Sequence, residues 1–101
     1  MMASDITWVI QPEELWDMYQ ANPKLFQEQI QIVCTYSFDD ADKKWWLLAE
    51  TDFTNSGLLL SLEDSEHVIA SEVCSAAESV VSAVERLAQI GMKLQNKEAL
   101  T

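Results

Sequence analysis

The sequence predicts an α+β fold: a three- or four-stranded antiparallel sheet, a long C-terminal helix packed on one face and a shorter N-terminal helix. Three observations carry this. From Ile30 onward apolar residues recur at every second position in runs separated by turn-like segments, the pattern of strands with one buried face. Beyond Ser71 the period lengthens to three or four, the pattern of an amphipathic helix. The whole is 101 residues with 49% hydrophobic residues, four Trp, two Gly and two Pro, which suits one domain, residues 1–101, around one core.

Taken in order, residues 4–11 alternate Ile6, Trp8 and Ile10 with Thr7 and Val9, compatible with a short strand. Pro12 fits the first position of a helix, where its missing N–H costs nothing, and Glu13, Glu14 and Asp17 follow where the helix dipole favours negative charge. Leu15, Trp16 and Tyr19 would form its apolar stripe. Asn22 and Pro23 end it, or end one helix and begin a second that runs to Gln29.

Ile30, Ile32, Cys34, Tyr36 and Phe38 then alternate with Gln31, Val33, Thr35 and Ser37, predicting the first strand of a meander. The polar run Asp39, Asp40, Ala41, Asp42, Lys43, Lys44 connects it to a second strand over residues 45–53. Thr54, Asn55, Ser56 and Gly57 form another turn before a third strand over residues 58–62. Residues 63–66 are acidic and could hold a helix start, capped by Asp64, Ser65 or Ser71, while residues 67–70 could instead be a fourth short strand. Val73, Ala77, Val80, Val84, Leu87 and Leu94 give the long helix its stripe, widened by Ala76, Ala83 and Ile90. Gly91 would end that helix or allow close packing, and residues 96–101 read as a frayed tail.

Seventeen Asp and Glu against six Lys and Arg leave a net charge of −11. Such a surface disfavours direct binding to nucleic acid or to an anionic membrane, which both need a basic footprint, and favours a basic protein partner. Acidity can also serve solubility alone. No run reaches the roughly 20 apolar residues of a membrane span, and the opening residues Met1 to Asp5 lack the regions of a signal peptide; the expected location is the cytosol. Cys34 and Cys74 stand apart without CxxC spacing and read as buried apolar residues.

No motif for catalysis or for a cofactor stands out. His67 is the single histidine, with no nucleophile motif near it. Asp39, Asp40 and Asp42 could attract a divalent cation, but the Gly and the closing Glu of a calcium loop are missing and Lys43 follows at once. Neither a metal nor a cofactor is expected. The chain therefore reads as a non-enzyme that works by contact.

The contact residues are sought in residues 45–85, which hold Glu50, Asp52, Glu63, Asp64, Glu66, Glu72, Glu78 and Glu85 and no Lys or Arg. Adjacent strand residues point to opposite faces, so Trp45 and Trp46 cannot both lie under one helix. Trp45, Leu47, Leu58, Leu60, Val73, Ala77 and Val80 are assigned to the core. The other face would carry Trp46, Leu48, Glu50 and Asp52 with Leu59, Ser61, Glu63, Val33 and Thr35. Trp46, Leu48, Glu50, Asp52, Glu63, Asp64, Glu66, Glu72 and Glu78 are the expected partner-binding residues. This face is either covered, by the N-terminal helix in a three-layer fold or by a second copy, or it is a partner surface.

In size, acidity and lack of cofactor motifs the chain resembles small bacterial or phage inhibitors: anti-CRISPR and anti-restriction proteins and immunity proteins of nuclease toxins. That resemblance implies a nucleic-acid mimic that blocks the DNA or RNA surface of a basic protein. The alternative is a small acidic dimeric chaperone or adaptor, similar to type III secretion chaperones, for which Trp46, Leu48 and Leu59 would matter more than the carboxylates.

Overall fold

The structure is a computed structural model that describes residues 6–37, 44–52 and 57–100, the last seven as backbone. Its elements are β1 (Ile6–Trp8), α1 (Pro12–Ala21), α2 (Pro23–Glu28), β2 (Gln31–Ser37), β3 (Lys44–Thr51), β4 (Leu58–Asp64), β5 (Val68–Cys74) and α3 (Ala77–Leu100). The strands form one antiparallel sheet in the order β1-β2-β3-β4-β5. The fold is α+β as expected, with five strands where three or four are predicted.

The strands beyond the three-stranded meander are the edges. The alternating residues before Pro12 contribute β1, which pairs Ile6 with Tyr36 and Trp8 with Cys34. At the other edge residues 71–74, expected to be helical, extend β5 instead. The β4–β5 turn is tied by Asp64, whose Oδ1 accepts the backbone N–H groups of Glu66 and His67 at 2.8 and 2.9 Å. An aspartate that binds its own following backbone makes a turn rather than a helix cap when a partner strand lies beside it. The helix starts after Ser75 instead, where Ser79 Oγ accepts the Ala76 N–H and Val80 N–H bonds the Ala76 carbonyl. Val73 and Ala77, assigned to the core from the sequence, are therefore exposed.

All three helices lie on one face. α3 packs on β3, β4 and β5, α2 on β3, and α1 against α3 and α2. Between helices and sheet lie Leu15, Phe26, Cys34, Trp45, Leu47, Leu58, Leu60, Leu62, Val80, Val84 and Leu87, each at most 2% exposed. The expected stripe of α1 takes part: Leu15 and Tyr19 are buried, Trp16 lies 5.1 Å from Tyr19, and Tyr19 meets Phe26 edge-on at 5.9 Å. Pro23 begins α2, the second helix that the Asn22-Pro23 pair allows.

Gly91 serves close packing. A Cβ there would stand 2.5 Å from Trp45 Cε2, so α3 crosses the indole where it has no side chain. That indole stacks on Tyr36 at 5.5 Å. Trp45 thus carries β3 against both a neighbouring strand and the long helix. α3 continues beyond Gly91 as backbone helix to Leu100.

Candidate interaction surface

The face of the sheet turned away from the helices carries four of the predicted site residues, Trp46, Leu48, Glu50 and Glu63. Register places them in rows. Thr7, Thr35, Trp46, Glu63 and Val68 form one row across the five strands; Ile32, Leu48, Ser61 and Ser71 form the next; Glu50, Leu59 and Val73 form the third. No helix among the described residues covers this face, because α1, α2 and α3 all pack on the opposite one. The N-terminal helix is thus not its cover, and the described fold has two layers.

Large side chains shield one another here. Trp46, Leu48 and Leu59 are half-buried and Ser61 beneath them is buried, while Ile32 and Val73 at the flanks are 45% and 58% exposed. Ile32, Thr35, Tyr36, Lys44, Trp46 and Leu48 line an open groove of about 430 Å³. Its apolar floor with a single ammonium at the rim suits a hydrophobic anchor from another chain.

A bulge decides one member of this face. Between Ile32 and Cys34 the β2–β3 register shifts, so that Cys34 pairs with Leu47 and Ile32 with Leu48. Val33 is the extra residue; it is fully buried, and its carbonyl accepts the N–H groups of Val9 and Ile10 at 2.9 and 3.1 Å. Val33, expected on the outer face, is therefore replaced there by Ile32. The expected set of Ile30 and Ile32 beside Cys34 and Tyr36 divides, with Ile30 52% exposed. The signal in the sequence was the run Val33-Cys34, in which both neighbours need burial and strict alternation can bury only one.

The predicted carboxylates divide into groups. Glu50 and Glu63 lie on the outer face, Glu63 opposite Trp46 and Glu50 opposite Leu59. Trp46 and Glu50 are four residues apart on one strand, about 13 Å. Asp52 follows β3 with its N–H on the Gly57 carbonyl. Asp64 ends β4 opposite Trp45, on the helix-facing side by register, and Glu66 follows in the β4–β5 turn; the Asp64 carboxyl is held below its ordinary value by the Glu66 and His67 N–H groups it accepts. Glu72 faces the helix side of β5 and takes a bidentate grip from Arg86, Nε at 2.9 Å and Nη2 at 2.6 Å, which lowers its pKa. Glu78 is in the first turn of α3. Glu72 and Glu78 are thus in the structure but not on the outer face.

His67 sits in the β4–β5 turn with Nδ1 3.4 Å from Asp64 Oδ1. Cys34 is pushed up to about 12 by burial, and Cys74 is raised chiefly by burial too, so both thiols stay protonated and are poor nucleophiles. They are free, and with β3 and β4 between them their strands alone lie three spacings apart, about 14 Å, with Cys74 four residues further along the strand direction, beyond disulfide reach. Among the described residues no group of three or more His, Cys, Asp or Glu comes together around a point where a metal ion could sit; Asp39, Asp40 and Asp42 lie outside the described residues, as does Phe38. No described helix is long and apolar enough to cross a membrane.

No protein-family description, curated protein or solved structure matches this chain.

Proposed function

We propose that this protein is a non-enzymatic inhibitor that docks its outer sheet face on a basic, nucleic-acid-handling protein and occupies the surface where DNA or RNA would lie. The observation that carries the reading is the row of Trp46 and Glu63, with Leu48 and Leu59 behind it and Glu50 beyond, on a face without a covering helix. An aromatic anchor supplies affinity, and carboxylates at both ends of the patch supply complementarity to Lys and Arg. The net charge of −11 speeds encounter with a cationic surface. Within this reading Trp46, Leu48, Glu50, Asp52, Glu63, Asp64 and Glu66 make the contacts, and Glu72 and Glu78 act only through the long-range field.

Capture of basic proteins from a bacterial lysate, with and without Glu50→Gln/Glu63→Gln, tests it. Retention of a nucleic-acid-binding protein that falls with rising salt and with neutralisation is the expected result. Retention indifferent to both overturns the electrostatic part. A second reading, an acidic dimeric adaptor or chaperone, draws on the apolar content of the same face, Ile32, Leu48, Leu59 and Val73. A stable dimer in solution that Trp46→Ala dissociates would favour it.

A further inference from the structure

Among the described residues the sheet has two open edges, β1 and β5, that differ in kind. β1 spans three residues, and a very short edge strand is a common device against pairing. β5 spans seven, VIASEVC, without Pro or Lys, and Val68 and Val73 are more than half exposed.

Its backbone bonds can be apportioned. Asp52 N–H bonds the Gly57 carbonyl and Asp64 N–H bonds the His67 carbonyl. Antiparallel alternation then gives Leu58, Leu60 and Leu62 of β4 to bonding with Cys74, Glu72 and Ala70. The N–H and C=O groups of Ser71 and Val73 consequently point away from the sheet. The register shift between Leu62 and Glu63 confines the regular part of this edge to residues 70–74.

Charge at this edge is unlike charge elsewhere. Residues 68–74 hold one carboxylate, Glu72, and Arg86 neutralises it through two hydrogen bonds, in a chain with 17 acidic and six basic residues. The edge therefore does not select for a basic partner as the outer face does, and it is complementary to itself.

We infer that β5 is a pairing edge for a second copy of this chain, joined antiparallel with Ser71 opposite Val73 of the second copy. In that register every outward backbone group of Ser71 and Val73 is bonded, and Ala70 lies opposite Cys74. Glu72 falls opposite its own equivalent, a like-charge contact that the two Arg86 guanidinium groups offset. Ser71 and Val73 both belong to the outer face, so the joined sheet places both Trp46 patches on the same side. The opposing force is the long-range repulsion of two acidic copies, and salt screens it.

Self-association thus strengthens with salt, whereas docking on a basic protein weakens with it, so the two ideas fail independently. Sedimentation equilibrium of the full chain at about 0.01 M and about 1 M salt, where the Debye length falls from about 30 to about 3 Å, tests the pairing. The dimer dissociation constant is expected to drop at least about tenfold at the higher salt. Val73→Pro and Ser71→Pro each remove an outward N–H without removing a bond to β4. Each should raise the constant at least about tenfold with the circular dichroism spectrum kept; should one variant lose that spectrum, the other gives the reading. Arg86→Gln should weaken the dimer, and Trp46→Ala should leave it unchanged. A chain that stays monomeric at high salt overturns the inference, and so does a dimer that ignores both proline variants or dissociates on Trp46→Ala.

Discussion

Gly91 and Trp45 fit each other because one lacks a side chain where the other has its largest. With a Cβ only 2.5 Å from the indole, Gly91→Ala must push α3 or Trp45 out of place. Overpacking of this kind costs about 1–3 kcal/mol, which thermal or urea unfolding would register as a loss of stability; a stabilised Gly91→Ala, as helix propensity alone would favour, would show that the contact yields. Trp46, one residue on, makes the opposite prediction. Trp46→Ala should leave the fold in place and abolish partner retention, which unfolding and capture run on the same preparation would separate. Leu47→Ala, which empties a fully buried position, should cost about 2–5 kcal/mol.

At the scale of the element, β5 shows how a strand can displace a helix. Val73 continues the apolar period of α3 backwards, yet in the structure it pairs with Leu59. The turn at Asp64 returns the chain along β4, and Ala70, Glu72 and Cys74 gain backbone partners there before the helix begins. The Glu72–Arg86 pair fastens β5 to α3, and its pH dependence follows from sign. The folded-state pKa of Glu72 is lowered from 4.5, first by the Arg86 hydrogen bonds; its stabilisation is present above that ordinary value and is lost as pH falls through the lowered one. Glu72→Gln should therefore be less stable than the parent at neutral pH, by a small amount because the pair is exposed, and the difference should close in acid. Melting curves of both proteins from pH 7 down to pH 2 would show it; a gap that persists at pH 2 would mean that packing, not charge, is responsible.

At the scale of the whole molecule, the helices among the described residues lie on one side of the sheet and none of them covers the other, where Trp46 is bordered by Glu50 and Glu63. Its charge then acts on every encounter. Binding to a cationic partner should slow as salt rises, chiefly through the association rate, while dissociation set by Trp46 and Leu48 should change little. Surface plasmon resonance at graded salt would resolve the two rates; a salt effect confined to dissociation would argue against steering.

The order of the elements, the separation of Trp45 from Trp46 and the sign of the field were written in period and composition, because side-chain alternation and net charge are local properties. Leu47, Leu58, Leu60 and Val80 are in the core as their spacing implies. What residues 71–74 become was not legible, since strand and helix are both open to Ser-Glu-Val-Cys until β4 offers its hydrogen bonds. The exchange of Val33 for Ile32 on the outer face likewise waits on a bulge, whose Val33 carbonyl accepts the Val9 and Ile10 N–H groups just after β1. The grouping of the carboxylates is the largest such case: Glu72 and Glu63 are near in sequence, but the β4–β5 turn and the pleat send one toward Arg86 and the other beside Trp46. Sequence determined how much negative charge the protein carries; tertiary structure decided which of it borders the open face, because strand pairing and not spacing along the chain sets the side of the sheet on which each residue stands.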